Sequence, residues 1–310
     1  MAPLPIPTPR DEGYTSTTGL PLYWCRYGPE HAARAPRAPR APRVLVLHGG
    51  PGAHHEYLLP HFLDLADEFE LVFYDQRGGG RSRTDDPTPI TWQTHVEDLE
   101  RVAAERVPGP LTILGYSWGA LLALLYSIEA AHGRRTPAPV RLALVDPAPI
   151  SRAARTQFEA EFARRATAPA LQAMRAELAA SGLRERDPAA HKQRAFELSV
   201  AGYFHDPARS ADLTPFRVTG RVQMQVWESL GDFDLVPSLA AVRTAALIVH
   251  GREDPIPLAS TEAAARALGA QLVVLEDCGH VPYVEQRVQL FEALRRFLRS
   301  AIETASSTVP

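Results

Sequence analysis

The sequence predicts an α/β fold with a mostly parallel central sheet, helices on both faces and an inserted helical cap. Three observations predict it. Short continuous apolar runs alternate with helical patterns: VLVLHG at 44–49, LVFYD at 71–75, LTILG at 111–115, VRLALVD at 140–146, AALIVHG at 245–251 and QLVVLED at 271–277. Such runs suit strands buried on both faces of a parallel sheet. Second, from about Ser151 to Leu235 the strand runs stop, and SRAARTQFEAEFARRA, PALQAMRAELAASG and AAHKQRAFELSVAGYF carry apolar and charged residues at helical spacing. Third, the serine of GYSWG, 115–119, sits between a strand run and the helical WGALLALLYSIEA.

A chain of 310 residues fits one large α/β unit with an insertion. The expected division is a core of residues 1–150 and 236–310 and a cap of residues 151–235. With 45% apolar and 22% charged residues and a formal charge of −3, the chain lacks the basic footprint of a nucleic-acid binder. No stretch reaches the ~20 apolar residues of a membrane span, and the Pro-rich start MAPLPIPTPR is not a secretory leader, so a cytoplasmic protein is expected. Cys25 and Cys278 are too sparse for a disulfide framework or a zinc site and read as small buried hydrophobes.

Taken in order, AARAPRAPRAPR at 32–43 lacks apolar periodicity and reads as a solvated loop of polyproline character. VLVL then runs into His48-Gly49-Gly50-Pro51-Gly52, a glycine-rich loop that can aim a backbone N–H at a developing oxyanion. Gly50 is the expected donor, and Gly49 stays open, because the sequence does not say which amide points inward. His54, His55, Glu56 and His61 lack the spacing of a metal motif. After LVFYD, Asp75 and Arg77 read as a local charged pair holding a turn made by glycines 78–80.

LTILG, Ser117 and the following helix form the strand-turn-helix context of a nucleophile elbow, in which flanking glycines remove side chains that would collide with neighbouring backbone. The amide of Trp118, at the helix start, is the expected second oxyanion donor. A serine hydroxyl needs a base, and the base an orienting acid. Asp254 follows AALIVHG, and His280 follows QLVVLED, so Ser117, Asp254 and His280 all fall after strand ends. Singly, Asp254 would be a turn residue and His280 a loop histidine; together they read as a catalytic triad. Asp146, after VRLALV, is a rival acid but reads as a turn cap before Pro147, and Asp277 is in the wrong topological place. In the cap, Phe158 with Phe162, and Leu171 with Met174 and Leu178, should each line a helix face. The cap should cover the carboxyl edge of the sheet, where open α/β sheets bind ligands. ETASSTVP at the end reads as a frayed tail.

HGGPG at 48–52, DQRGGGRS at 75–82, GYSWG at 115–119, HGREDP at 250–255 and GH at 279–280 resemble the motif set of the prolyl aminopeptidase (proline iminopeptidase) family of α/β-hydrolase serine peptidases. The resemblance spans roughly residues 14–149 and 236–300. It implies an α/β-hydrolase fold and release of an N-terminal residue, preferably proline, from short peptides through an acyl-enzyme. It also implies cap carboxylates that hold the substrate's amino terminus, since an unpaired buried ammonium is costly. Glu197 and Glu228 stand nearest to the family's acidic cap positions, and Tyr203, Phe204 and Trp227 could form an apolar slot for a proline ring. The alternative is a carboxylesterase or C–C bond hydrolase using the same triad; a non-catalytic ligand binder would not need that triad. The expected partner is a small peptide or small-molecule substrate, with no nucleic acid, membrane, metal or cofactor, and the oligomeric state is left open.

Overall fold

A computed structural model describes residues 5–29 and 41–306, apart from the side chains of residues 300–306. Its centre is an eight-stranded sheet in the order β1-β2-β4-β3-β5-β6-β7-β8. The strands are β1 (Asp11–Tyr14), β2 (Tyr23–Tyr27), β3 (Arg43–Leu47), β4 (Glu70–Tyr74), β5 (Leu111–Tyr116), β6 (Pro139–Val145), β7 (Ala245–Gly251) and β8 (Gln271–Leu275). From β4 to β8 across the sheet every pairing is parallel. β1 and β2 add an antiparallel edge.

The apolar runs are continuous because both faces of the inner strands are covered. Leu45, Leu47, Val72, Tyr74, Ile113, Leu142, Leu144 and Ile248 belong to one buried cluster. The alternating Val44, Val46, Leu71, Phe73, Leu114, Ala143, Val145 and Val249 belong to the other. Successive side chains point to opposite faces, so burial of both faces requires an apolar residue at every position. The edge hairpin is a difference from the sequence reading, which places no strand before residue 44. Asp11–Tyr14 is largely exposed and polar, and YWCRY is only five residues long, so neither shows a long apolar run.

The helices of the core are α1 (Trp92–Arg106) and α2 (Trp118–Ala131); between β6 and β7 lie α3 (Arg152–Ala166), α4 (Pro169–Ala180), α5 (Leu183–Arg186), α6 (Pro188–Val200) and α7 (Gly220–Leu230), followed by the short α8 (Val236–Leu239). α9 (Leu258–Leu268), α10 (Pro282–Glu285) and α11 (Arg287–Ser306) complete the chain. Within the inserted segment, Leu171, Leu198 and Ala201 form a small cluster with Met174 and Leu178 against it. The segment also enters both main clusters, through Val222 and Val226 on one side and Val200, Phe204 and Leu213 on the other.

Cys25 and Cys278 are free and buried. Residues 32–40 of the Arg-Ala-Pro repeat lie outside the described residues; residues 303–306 of the expected tail continue α11, and the rest of that tail lies outside them. Among the described residues no helix is long and apolar enough to cross a membrane.

Candidate active site

Ser117 closes β5 with φ 54° and ψ −117°. A non-glycine residue at positive φ is strained, and it holds here because the surrounding backbone leaves no alternative. A Cβ on Gly115 would lie 2.6 Å from the Ala120 Cα, and one on Gly119 would lie 2.2 Å from the Leu47 carbonyl oxygen. The two glycines therefore let β3, β5 and α2 close around the serine.

Ser117 Oγ is 2.9 Å from His280 Nε2, and His280 Nδ1 is 2.7 Å from Asp254 Oδ2. With the proton on Nδ1, His280 donates to Asp254 and leaves Nε2 to accept from the serine hydroxyl. Asp254 Oδ1 accepts the Ile256 N–H at 2.7 Å, so both carboxylate oxygens are engaged. Burial raises the Asp254 pKa, but the facing His280 outweighs it and holds the carboxyl below its ordinary value. The His280 loop is fixed from two sides: its N–H donates to Tyr203 O at 2.7 Å, and Tyr116 Oη donates to its carbonyl at 2.8 Å. Gly279 has no room for a Cβ, which would meet Tyr203 O at 2.3 Å.

The rival acids sit elsewhere. Asp277 is 81% exposed at its side chain and faces His205, not His280. Asp146 is wholly buried, and its Oδ1 accepts the Gly251 N–H at 2.8 Å while Oδ2 has no hydrogen-bond partner. The expected local turn cap is thus a tie across to β7. Burial, and then the charge of Asp254, push the Asp146 pKa well above its ordinary value. The two buried carboxyls are therefore shifted in opposite directions, Asp146 toward its protonated form and Asp254 toward its ionised form.

Geometry also separates the two candidate oxyanion amides. Gly49 N–H donates to Tyr57 Oη at 2.7 Å and is occupied. Gly50, at φ 57°, and Trp118 border the same cavity as Ser117, and neither amide has an acceptor among the described residues. A buried relay supports them: Trp118 Nε1 donates to Gln76 Oε1 at 2.8 Å, and Gln76 Nε2 donates to His48 O at 2.8 Å. Gln76 N–H donates to His48 Nε2 at 3.1 Å, so His48 carries its proton on Nδ1 and gives it to Gly49 O at 2.8 Å. Burial lowers the His48 pKa to about 4, which keeps this arrangement neutral.

Asp75 and Arg77 do not pair with each other. Asp75 accepts from His55 Nδ1 at 2.7 Å and from the Arg81 N–H at 2.8 Å. Burial alone would lower the His55 pKa and raise that of Asp75, but their hydrogen bond reverses both, to about 10 and about 2. Arg77 instead makes a two-bond fork to Asp98 on α1, at 2.8 and 2.6 Å. The two residues, separated by Gln76, thus meet partners on different elements.

The cavity at Ser117 has a volume of about 430 Å³, and Phe158, Tyr203, Met224 and Trp227 form its apolar wall. Phe204 is not in that wall; it is buried in the second core cluster. Neither expected cap glutamate borders the cavity. Glu197 is buried in α6, bound by Gln193 Nε2 at 3.1 Å and Arg194 Nη1 at 2.8 Å. Glu228 is exposed, one residue past Trp227 and turned about 100° away on the helix. The carboxylate that does border the cavity is Glu159 on α3, joined by Arg155. Sequence reasoning missed both, although positions 155, 158, 159 and 162 follow the i, i+3, i+4, i+7 spacing of one helix face.

The comparisons agree with this architecture. Proline iminopeptidases of Lactobacillus delbrueckii subsp. lactis and Saccharolobus solfataricus are 38% and 33% identical over 109 and 124 residues, or 33% and 38% of this chain. These matches span only 34% and 36% of the relatives' own lengths. Among solved structures, the proline iminopeptidase of Mycobacterium smegmatis superposes with a TM-score of 0.68 at 21% identity, covering 95% of this chain and 100% of that one. A 2-hydroxy-6-oxo-6-phenylhexa-2,4-dienoate hydrolase from Rhodococcus sp. strain RHA1 gives 0.63 at 22% identity, over 93% and 98% of the two chains, so the likeness in shape speaks to the fold alone. The alpha/beta hydrolase family matches residues 44–294, the greater part of the chain, and the protein belongs to that family.

Proposed function

We propose that the protein is a serine hydrolase that releases N-terminal proline, or another small N-terminal residue, from short peptides. The observation that carries the reading is the unbroken line Ser117–His280–Asp254, at 2.9 and 2.7 Å, beside two free backbone amides. His280 Nε2 takes the proton of Ser117 as Oγ attacks the scissile carbonyl, and Asp254 stabilises the imidazolium that forms. The amides of Gly50 and Trp118 receive the oxyanion. Collapse of the tetrahedral intermediate breaks the C–N bond, with His280 returning its proton to the leaving amine. Water, activated by the same histidine, then hydrolyses the ester on Ser117.

The substrate preference draws on the likeness to proline iminopeptidases and on the cavity. Its small volume and aromatic wall suit a compact ring such as that of proline. Glu159 receives the free amino group through Oε2, since Oε1 already accepts from Arg155 Nε at 2.7 Å. The reading includes a cytoplasmic location, consistent with two cysteines kept as free thiols.

The test is cleavage of proline p-nitroanilide against its N-acetyl form, with p-nitrophenyl acetate alongside. The free amine should be preferred at least ~10-fold in kcat/KM, the value of one hydrogen bond to a charged group, and Glu159→Gln should remove the preference. Equal cleavage of blocked and free anilides, with a fast ester, would instead favour the esterase or C–C hydrolase reading.

A further inference from the structure

Arg155 is the guanidinium that borders the cavity beside Ser117. It lies over the Trp227 ring, with Cζ 4.1 Å from the centroid, and its Nε pairs with Glu159 one turn further along α3. Neither Nη group has an acceptor among the described residues, and Nη1 is buried without one. A buried unsatisfied donor is costly, and in a native structure it calls for a partner. The aromatic stack and the Glu159 bond hold the plane of the fork fixed. A fixed, planar guanidinium with an unengaged Nη2 at the cavity suits a carboxylate, which accepts a charge-assisted hydrogen bond from it.

We propose that Arg155 binds the α-carboxylate of the residue released as the amine, so that the enzyme selects dipeptides over amidated or longer peptides. This rests on the aminopeptidase reading for which carboxylate is bound. A longer peptide offers only neutral amides at that distance from the scissile bond. A dipeptide brings its carboxylate within one residue of it, and a cavity of about 430 Å³ is near the small end for ligand sites. Glu159 and Arg155 then divide the two charges of a zwitterionic substrate between them.

The experiment has two arms. In the first, release of proline from prolylglycine and from prolylglycinamide is compared in wild type, Arg155→Met and Arg155→Lys. Wild type should favour the free carboxylate by about tenfold or more in kcat/KM, mainly through KM. Arg155→Met should abolish the preference and Arg155→Lys should keep part of it, each read as the ratio of the two substrates within one protein, so that any effect through the Arg155–Glu159 bond cancels. In the second arm, binding of N-acetylglycine and N-acetylglycinamide to the same proteins is measured by calorimetry, which needs no turnover. Tighter binding of the acid, lost in Arg155→Met, supports the carboxylate site even if no proline substrate is cleaved; in that case the aminopeptidase reading falls and the site stands. Equal binding of acid and amide by wild type, or an unchanged preference in both Arg155 variants, overturns the proposal.

Discussion

Asp254 and Asp146 stand at the ends of adjacent strands, both shut from solvent, and their surroundings shift their pKa values in opposite directions. Asp254 faces His280, so Asp254→Asn should leave the imidazole in the wrong tautomer and lower kcat by ~10⁴. Burial favours the protonated form of Asp146, so Asp146→Asn should keep kcat within about tenfold of wild type, less than ~1.4 kcal/mol of activation free energy. The reverse ranking of the two variants would move the catalytic acid to Asp146. The same pair makes a pH prediction. The Asp146 pKa is raised on folding, so the stability tied to its proton is complete below the ordinary carboxylate pKa and is lost as pH rises toward the folded value. Above about pH 4, then, Asp146→Asn should gain stability over wild type, on the order of 1 kcal/mol per pH unit, until the folded pKa is reached. Melting temperatures at pH 4.5 and pH 8 check this, and a gap that does not widen with pH would refute it. The three proposed triad residues were legible because each follows a strand run. Arg155 and Glu159 were not, because charges at helical spacing ordinarily mark a solvated face.

At the scale of elements, the site depends on loops whose backbones touch. A Cβ on Gly79 would lie 1.9 Å from the carbonyl oxygen of Ala53, so the turn after β4 rests directly on the loop that carries Gly50. Gly79→Ala should therefore cost about 1–3 kcal/mol in urea unfolding and lower kcat more than it raises KM, because it displaces the loop of the proposed oxyanion donor Gly50. Stability loss with normal kcat would show that the two loops move independently. The sequence displayed the glycines but not their partners. It paired Asp75 with Arg77 by proximity, whereas the fold delivers His55 to one and Asp98 to the other. Sequence distance says little about pairing once a turn directs neighbouring side chains apart. The edge strands escaped notice for a related reason: the apolar residues of β2 divide between both clusters within five positions, too few to stand out as a run.

Across the whole molecule, the inserted helices have only a small cluster of their own and complete their burial against the core. Trp227 of α7 meets Trp118 with ring centroids 5.7 Å apart, Tyr203 meets His280 at 5.2 Å, and Thr219 N–H donates to Gly52 O at 3.0 Å. Cap and core should consequently unfold together, with tryptophan fluorescence and far-ultraviolet circular dichroism tracing one coincident urea transition. An earlier, separate loss of helical signal would show a cap that is stable apart from the sheet. The insertion was legible as an interruption of strand runs, with an expected place over the carboxyl edge, but the contacts that seat it were not, since they join residues 77 to 167 positions apart.

The account stands most directly on Ser117 as the nucleophile, and reaction with a fluorophosphonate, followed by intact mass and peptide mapping, measures it. The predicted result is one phosphonyl group per chain, located on Ser117, absent from Ser117→Ala and slowed in His280→Ala. Labelling of another residue, or full labelling of Ser117→Ala, would contradict it.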